Sequence, residues 1–382
     1  MTEVYRRVQP GPATYALVIG VGEYPHLPGG SGARTRADDG MTQLGSPTLS
    51  ARVVADWLID SFNNTNTPLA SVRLLLSDAN SQVYIRPGST VAIPVDAADH
   101  RNVKAAARDW FADGNSDEDN LLIFYFCGHG ISEGTDYALI LRDYGATDAN
   151  PLEGALDFRK LHLGMDTCKA AEQAYFIDAC RLSSDTLIGS SGHAGEVPIL
   201  PGIRNNALRP REASIFYATL GGQQAYAKPN KPSVFANALI KSLNGAGADD
   251  SEGDWRVDTT SLHRALDFYM DEENTPKVQV PQSASHSTFF LHYLLSEPEV
   301  PVVVSCDPVQ AIADADLTCT QLGNVVHNRP AIGSPDPAAW NLELLPGGYD
   351  FTATFSRGAF RGALKSDYVR PTYRRIKLGV QP

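Results

Sequence analysis

Two long apolar runs stand out along the chain, and each stops at a residue with reactive chemistry. The first, LLIFYFCGHG, spans Leu121–Gly130, and the second, QAYFIDACR, spans Gln173–Arg181. Apolar, β-branched and aromatic runs of this length, bounded by Gly and polar residues, are typical of strands buried on both faces of a sheet. If these two strands are parallel and adjacent, they bring His129 and Cys180 to the same edge of one sheet.

Strands alternate with helices through roughly the first three quarters of the chain. The periodicity predicts further strands at Tyr15–Val21, Val72–Leu76, Tyr137–Leu141, Ala213–Leu220 and Ser287–Leu295, and either a short strand or a loop within Gly88–Asp99. It predicts helices at Leu49–Phe62, Asn102–Phe111, Asp157–Cys168, Pro232–Leu243 and Thr259–Met270. This alternation predicts an α/β fold with a mainly parallel sheet flanked by helices. Functional residues of such sheets lie beyond the carboxyl ends of the strands, where His129 and Cys180 are expected.

The pattern changes at Pro298. Short strands separated by turn signals follow, at Val300–Val304, Leu342–Leu345, Asp350–Phe355 and Tyr373–Leu378. They predict a small all-β, sandwich-like domain. We therefore expect one domain over residues 1–297, with an unpatterned linker-like loop at 182–212, and a second domain over residues 298–382.

Composition excludes several classes of partner and site. The 382 residues carry a net charge of −12, which argues against a nucleic-acid or anionic-membrane partner, because both require clustered Lys and Arg. No apolar run approaches the roughly 18 residues of a membrane span, and Met1–Thr14 lacks the apolar core of a signal peptide. The five cysteines form no CxxC pair, so neither a zinc site nor a disulfide framework is indicated, and a reducing cytoplasm is the expected compartment. A pairing of Cys306 with Cys319 in an exported protein is the alternative.

The histidine and the cysteine have the spacing of a known family. IGVGEY, YFCGHG, YALIL and FIDACR follow one another in this order, and residues 129 and 180 lie 51 residues apart. Over residues 13–295 the chain resembles the caspase-like cysteine peptidases, specifically the prokaryotic caspase-homologue and metacaspase branch. The resemblance implies that Cys180 is the nucleophile and His129 its base. It also implies an oxyanion hole formed by the backbone N–H groups of Gly130 and Cys180.

General chemistry supports these roles. A cysteine needs a neighbouring imidazole or positive charge to be a thiolate at neutral pH, and an oxyanion needs two fixed donors. Cys127, two residues before the histidine, is interpreted as a strand residue. The chemistry requires no cofactor and no metal. Because metacaspases can depend on calcium, weak calcium binding by the carboxylates of Asp249–Asp254 is kept as an alternative.

The prediction about substrate specificity rests on Asp178. It precedes the nucleophile by two residues, where metacaspase-type enzymes have an Asp that lines the substrate pocket, and i and i+2 in a strand share a face. A carboxylate there favours a protein or peptide substrate with Arg or Lys before the cut. The position nearest to a pocket arginine of true caspases is Leu44, which argues against cleavage after Asp. The metacaspase Asp at the start of the first helix is replaced by Ser50, which makes the pocket less acidic. A structural ion pair of Asp178 with Arg181 is the competing interpretation.

Several alternatives remain open at this point. Self-cleavage within the linker-like loop is expected near Arg204, Arg209 or Arg211. The C-terminal domain is a candidate site for a regulatory partner, and bacterial relatives are often part of regulated cell death or antiphage defence. The competing functions are a catalytically silent scaffold, an Asp-specific protease and a peptide ligase that uses the same acyl-enzyme.

Overall fold

The computed structural model of the chain describes residues 3–78, 82–190, 192–219, 231–251, 253–273, 282–284, 287–336, 338–356 and 360–381. Contacts group the chain into two units: residues 1–240 with 269–292, and residues 241–268 with 293–382. The division into domains at residue 298, expected from the sequence, stays a prediction.

The described elements of residues 1–240 alternate as the sequence predicts. The strands are β1 Glu3–Arg6, β2 Thr14–Val21, β3 Leu69–Ser77, β4 Val83–Ile85, β5 Ala92–Pro94, β6 Leu121–Gly128, β7 Gly130–Glu133, β8 Asp136–Ile140, β9 Ala155–Asp157, β10 Glu172–Ala179 and β11 Glu212–Tyr217. The helices are α1 Pro47–Asp60, α2 His100–Gly114, α3 Phe158–Gly164 and α4 Asp185–Gly189, and α5 Val234–Lys241 extends just beyond this range.

The described elements of the rest of the chain are mostly strands. They are β12 Ala248–Asp249, β13 Arg256–Asp258, β14 Gln282–Ala284, β15 Phe290–Tyr293, β16 Val300–Asp307, β17 Asp316–Gln321, β18 Asn324–Arg329, β19 Trp340–Leu344, β20 Gly347–Thr354, β21 Ala363–Val369 and β22 Arg374–Gly379. One long helix, α6, spans Thr259–Glu273. Within the described ranges, no helix is both long enough and apolar enough to cross a lipid bilayer.

A large sheet organises the first unit. Its described strands follow the order β1-β3-β2-β6-β10-β11-β14. The strands from β3 to β11 in this order are parallel to their neighbours, and β1 and β14 pair antiparallel at the two edges. This topology confirms the predicted mainly parallel sheet. Its central strands β6 and β10 are almost entirely buried, as two-sided burial of a parallel sheet requires.

The alternation of side chains along β2 explains how the sheet is covered on both faces. Ile19 and Val21 belong to a buried cluster that includes Val103 and Trp110 of α2. The residue between them, Gly20, faces the other helix, since a Cβ added there would lie 2.7 Å from the Cβ of Ala51 in α1. Successive residues of a strand point to opposite faces, so α1 and α2 pack on opposite sides of the sheet.

The chain between β6 and β10 forms a second, smaller sheet. β7 pairs antiparallel with β8, and β8 pairs antiparallel with β9. The first of these pairs is a hairpin, and its second strand corresponds to the strand predicted at Tyr137–Leu141. After β10, the described part of the linker-like region contains one short helix, α4, and is otherwise irregular up to β11.

The C-terminal strands form two small sheets around one core. One sheet has the order β19-β16-β22, and the other has the order β18-β17-β20-β21. Val302 and Ile376 of the first sheet and Leu317 and Phe351 of the second belong to the same buried cluster. The predicted small all-β, sandwich-like region is therefore present.

Several boundaries differ from the prediction. The predicted helix Asp157–Cys168 is α-helical only over Phe158–Gly164, and a 3₁₀ turn over Met165–Thr167 follows it. The predicted strand Ser287–Leu295 is shortened to β15, and the unpredicted β14 provides the edge of the large sheet. The segment Gly88–Asp99 contains β5, which forms a small hairpin with β4.

Candidate active site

The pairing of β6 with β10 places the predicted nucleophile beside the predicted base. In this parallel pair, Ala179 lies opposite Gly128, so Cys180 and His129 are the next residues of the two strands. The pairing resumes beyond them, where Ile131 forms a parallel bridge with Leu182. The partner residues differ by the same number of positions before the pair, at Gly128 and Ala179, and after it, at Ile131 and Leu182. His129 and Cys180 therefore leave the carboxyl edge of the sheet side by side, where neighbouring strands are roughly 4.8 Å apart.

His129 is held at its backbone and at its ring. Its backbone N–H donates to the hydroxyl of Tyr24 over 2.9 Å, and its Nε2 lies 2.6 Å from the carbonyl oxygen of Thr42. Because a carbonyl oxygen can only accept, Nε2 carries the hydrogen and Nδ1 keeps the lone pair. Burial lowers the pKa of His129 to about 4, against a weaker opposing effect of the Thr42 hydrogen bond. The imidazole is therefore neutral at pH 7 and able to accept a proton.

Cys180 is the most accessible of the five thiols. All five cysteines lie in described ranges and are reduced, and the other four are buried. Burial raises the pKa of Cys127 well above its ordinary value, and it raises the pKa of Cys168 to about 11. These two thiols are therefore poor nucleophiles at neutral pH. The carbonyl of Cys180 accepts a hydrogen bond from the Tyr137 hydroxyl over 3.0 Å, which fixes the backbone at the nucleophile.

Steric crowding explains both glycines that flank His129. A Cβ added at Gly130 would lie 2.5 Å from the carbonyl oxygen of Cys180 and 2.9 Å from the Tyr137 ring. A Cβ added at Gly128 would lie 2.9 Å from the Tyr24 hydroxyl. Glycine is therefore required for the two chain segments to approach this closely. The oxyanion-binding role of the Gly130 and Cys180 N–H groups stays a prediction.

Asp178 lies completely buried at the end of β10. Its Oδ2 accepts hydrogen bonds from the hydroxyls of Tyr125, at 2.9 Å, and Ser233, while Oδ1 has no hydrogen-bond partner among the described residues. Burial raises the pKa of Asp178, and hydrogen bonds from the Ser233 hydroxyl, the Cys127 thiol and the Tyr125 hydroxyl oppose this effect. Ser50, the predicted replacement for the second pocket carboxylate, accepts from the Ser233 N–H over 2.9 Å. The two positions therefore share one partner.

Arg181, the proposed ion-pair partner of Asp178, packs against aromatic rings. Its guanidinium carbon lies 4.5 Å from the ring centroid of Tyr217 and 5.5 Å from that of Tyr137. These distances are typical of cation–π contacts. The Tyr125 and Ser233 hydroxyls donate hydrogen bonds to the Asp178 carboxylate.

The sequence did not identify several residues of this site, namely Tyr24, Thr42, Tyr125, Tyr137 and Ser233. Thr42 contributes a backbone carbonyl, which leaves no trace in the identity of the side chain. Tyr24 is part of the IGVGEY segment, so a signal existed for it, but the sequence does not indicate contact with His129 more than a hundred residues away. For the residues that the structure describes, no group of three or more His, Cys, Asp or Glu side chains is arranged to hold a metal ion.

Comparisons with known proteins find a family model and a distant relative. The family model of the caspase domain (Peptidase_C14) matches residues 13–293. The uncharacterized protein y4kE of Sinorhizobium fredii is 27% identical over 296 residues, which cover 70% of this chain and 83% of that protein.

Among solved structures, protein GSU0716 from Geobacter sulfurreducens matches with a TM-score of 0.44 and 14% identity, over 74% of this chain and 98% of that chain. Caspase-1 from Spodoptera frugiperda matches with a TM-score of 0.42 and 13% identity, over 76% and 97%. The family match covers β2 through β15, including the paired strands that carry His129 and Cys180. The chain belongs to the caspase domain family.

Proposed function

We propose that this chain is a cysteine endopeptidase in which Cys180 is the nucleophile and His129 is the general base and acid. One observation carries the proposal: the register of β6 and β10 continues through His129 and Cys180, with the imidazole fixed by Thr42 in the tautomer that leaves Nδ1 basic. A nucleophile and an oriented base within reach of each other are what covalent catalysis requires.

The reaction follows from these roles. Nδ1 of neutral His129 accepts the proton of the Cys180 thiol, and the sulfur attacks the peptide carbonyl carbon. The N–H groups of Gly130 and Cys180 stabilise the oxyanion of the tetrahedral intermediate. Protonated His129 then gives its proton to the leaving amine, and water activated by the same imidazole hydrolyses the thioester. The protons balance over the cycle, and no step needs a metal or a redox partner.

Specificity for Arg or Lys before the cut is supported by the chemistry of Asp178. Its buried Oδ1 is an acceptor that no described residue uses, and a cationic side chain of the substrate would satisfy it. Leu44, the position nearest to a caspase pocket arginine, offers no positive charge for an acidic substrate. The substrate proposed here is therefore a peptide with a basic residue before the cut.

Hydrolysis of fluorogenic peptides tests the proposal. We expect cleavage after Arg and Lys, little cleavage after Asp, and no cleavage by Cys180→Ala or His129→Ala. Cys168→Ala is the matched control, since it removes another buried thiol that is inert at neutral pH, and it should keep its activity. A wild-type chain that neither hydrolyses these peptides nor reacts at Cys180 with a peptide electrophile would be the silent scaffold, and product analysis with an added amine would detect ligation.

The arginines of the linker-like loop, the expected sites of self-cleavage, lie far from Cys180 along β10. Arg204 donates to the backbone carbonyls of Arg209, Cys168 and Lys169, and Arg211 donates to Gln173 at the start of β10. The start of β10 is separated from Cys180 by eight residues of strand, or roughly 25 Å. We therefore propose that any processing at these arginines occurs between two molecules. A rate of self-cleavage that rises with protein concentration supports this proposal, and a concentration-independent rate contradicts it.

The compartment and the biological role are two further proposals, and the second rests on the family resemblance. We propose a reducing cytoplasm as the compartment, because the mechanism needs the Cys180 thiol. We also propose a role in bacterial regulated cell death or antiphage defence, with a regulatory partner bound by the C-terminal strands. Survival of phage-infected cells that carry the wild type, compared with Cys180→Ala, tests the defence role.

A further inference from the structure

The two residues that hold His129, Tyr24 and Thr42, belong to the same loop. The Tyr24 hydroxyl accepts the His129 backbone N–H, and the Thr42 carbonyl accepts from the imidazole. Tyr24 and Thr42 are 18 positions apart in sequence, near the two ends of the irregular segment between β2 and α1. Their relative position therefore depends on something that ties the two ends of this segment together.

The carboxamide of Gln43 makes this connection. Its Oε1 accepts from the Tyr24 N–H over 2.8 Å, and its Nε2 donates to the Tyr24 carbonyl over 2.8 Å. The same Nε2 also donates to the carbonyl of Pro28 over 3.2 Å. A carboxamide that is bonded at both ends to one residue has a fixed orientation, and Gln43 directly follows Thr42 in the chain.

Tyr24 completes the arrangement on the other side. It is fully buried, its hydroxyl donates to the Val21 carbonyl over 3.0 Å, and its ring centroid lies 4.9 Å from that of His129. Because the hydroxyl donates its only hydrogen to Val21, its lone pair is left for the His129 N–H. The lack of space for a Cβ at Gly128 shows how closely the histidine segment is seated on this hydroxyl.

We propose that Tyr24 and Gln43 are positioning residues that together set the orientation and tautomer of His129. Gln43 holds the Thr42 carbonyl at a fixed place relative to Tyr24, so the backbone and the ring of His129 are anchored to one rigid unit. The base is thereby oriented before substrate binds. This inference rests on the proposed function, in which His129 must point Nδ1 at the Cys180 thiol.

Steady-state kinetics of single variants test the inference. Tyr24→Phe keeps the ring and removes the hydroxyl, and Gln43→Ala removes the carboxamide. We expect kcat to fall about 10- to 100-fold in each, because a misoriented base costs on the order of 100-fold, while KM changes little. Tyr84→Phe is the matched control. Tyr84 is also fully buried and donates one side-chain hydrogen bond, to Asp56 of α1, and its loss should leave kcat unchanged.

The double variant separates positioning from general loss of stability. If Tyr24 and Gln43 act through the same imidazole, kcat of Tyr24→Phe/Gln43→Ala should be about as low as kcat of the more impaired single variant. If their effects are independent, the two fold-decreases in kcat should multiply. ¹⁵N NMR of the histidine ring gives a readout apart from activity: the wild type should show the Nε2–H tautomer, and Gln43→Ala a mixture of tautomers.

The outcomes distinguish this inference from the proposed function. If His129→Ala and Cys180→Ala remain active, the proposed function fails. If those two variants are inactive while Tyr24→Phe and Gln43→Ala match Tyr84→Phe and keep the wild-type tautomer, the positioning role fails and the peptidase proposal stands. If Tyr24→Phe does not fold, Gln43→Ala decides alone.

Discussion

Replacing Asp178 by Asn should abolish the preference for arginine without unfolding the protein. Asn has nearly the same shape, and its carbonyl oxygen can take the place of Oδ2, which accepts hydrogen bonds from the Tyr125 and Ser233 hydroxyls. Its amide nitrogen then takes the place of Oδ1, which no residue in the described ranges contacts through a hydrogen bond. The fold therefore loses little, but the pocket presents a donor where a cationic substrate needs an acceptor.

The expected magnitude follows from the burial of the carboxylate. Asp178 is 1% exposed, so a bound guanidinium would form a charge pair shielded from water. Truncating one partner of such a pair costs about 2–5 kcal/mol, which corresponds to a loss of roughly 30- to several-thousand-fold in kcat/KM. The assay compares peptides with Arg and with citrulline, its neutral isostere, before the cut. The Arg peptide should lose most of its advantage, and the citrulline peptide should be cleaved at a similar rate by both proteins.

Asp157→Asn provides the matched control. Asp157 is equally buried but caps α3 and pairs with Lys160, so its neutralisation should leave the preference for Arg over citrulline intact. Burial raises the pKa of Asp178, so acidification should protonate this carboxyl and reduce the preference of the wild type toward that of Asp178→Asn. An Asp178→Asn enzyme with the wild-type ratio of Arg to citrulline cleavage would refute the assignment.

Three further predictions concern stability and cofactors. The pKa of His129 is about 4 in the folded state and about 6.5 in the unfolded state, so the unfolded state takes up a proton first on acidification. The free energy of unfolding should therefore fall by about 3 kcal/mol between pH 6.5 and 4. Urea unfolding at several pH values should show this loss reduced in His129→Ala and unchanged in a variant of the exposed His327. Arg211→Ala removes a nearly buried guanidinium that donates to Gln173 and pairs with the partly exposed Asp166, and it should destabilise the fold by about 2 kcal/mol. Arg36→Ala at the surface should change the melting temperature little. Activity should survive EDTA, and a calcium-dependent rate would contradict the proposed metal-free mechanism.

The sequence predicts the long strands whose burial is nearly complete. β6 and β10 are found because an unbroken apolar run has few alternatives in a protein of this class. α2 is found because Val103, Ala106 and Trp110 form a helical stripe, and all three are buried. The positions of His129 and Cys180 then follow, because parallel strands share a carboxyl edge.

Several partly buried strands were not predicted, because partial burial leaves no continuous apolar run in the sequence. β1, β17, β18 and β21 were not predicted, and β18 in particular is almost wholly exposed. Such strands are stabilised by pairing with neighbours that are distant in sequence, so their own residues show little periodicity. The Thr42 carbonyl and the unused Oδ1 of Asp178 were beyond prediction because they depend on tertiary placement.

The constant offset across the His129–Cys180 pair means that the separation of these residues in space does not depend on the chain that joins them. Hydrogen bonding between strands fixes their alignment, and the intervening covalent connection includes an exposed turn at residues 146–150. Opened at that turn, the polypeptide should reassemble from two fragments, each bringing one of the two reacting groups. Such a pair of fragments would make peptide hydrolysis a reporter of whether two fused proteins have met.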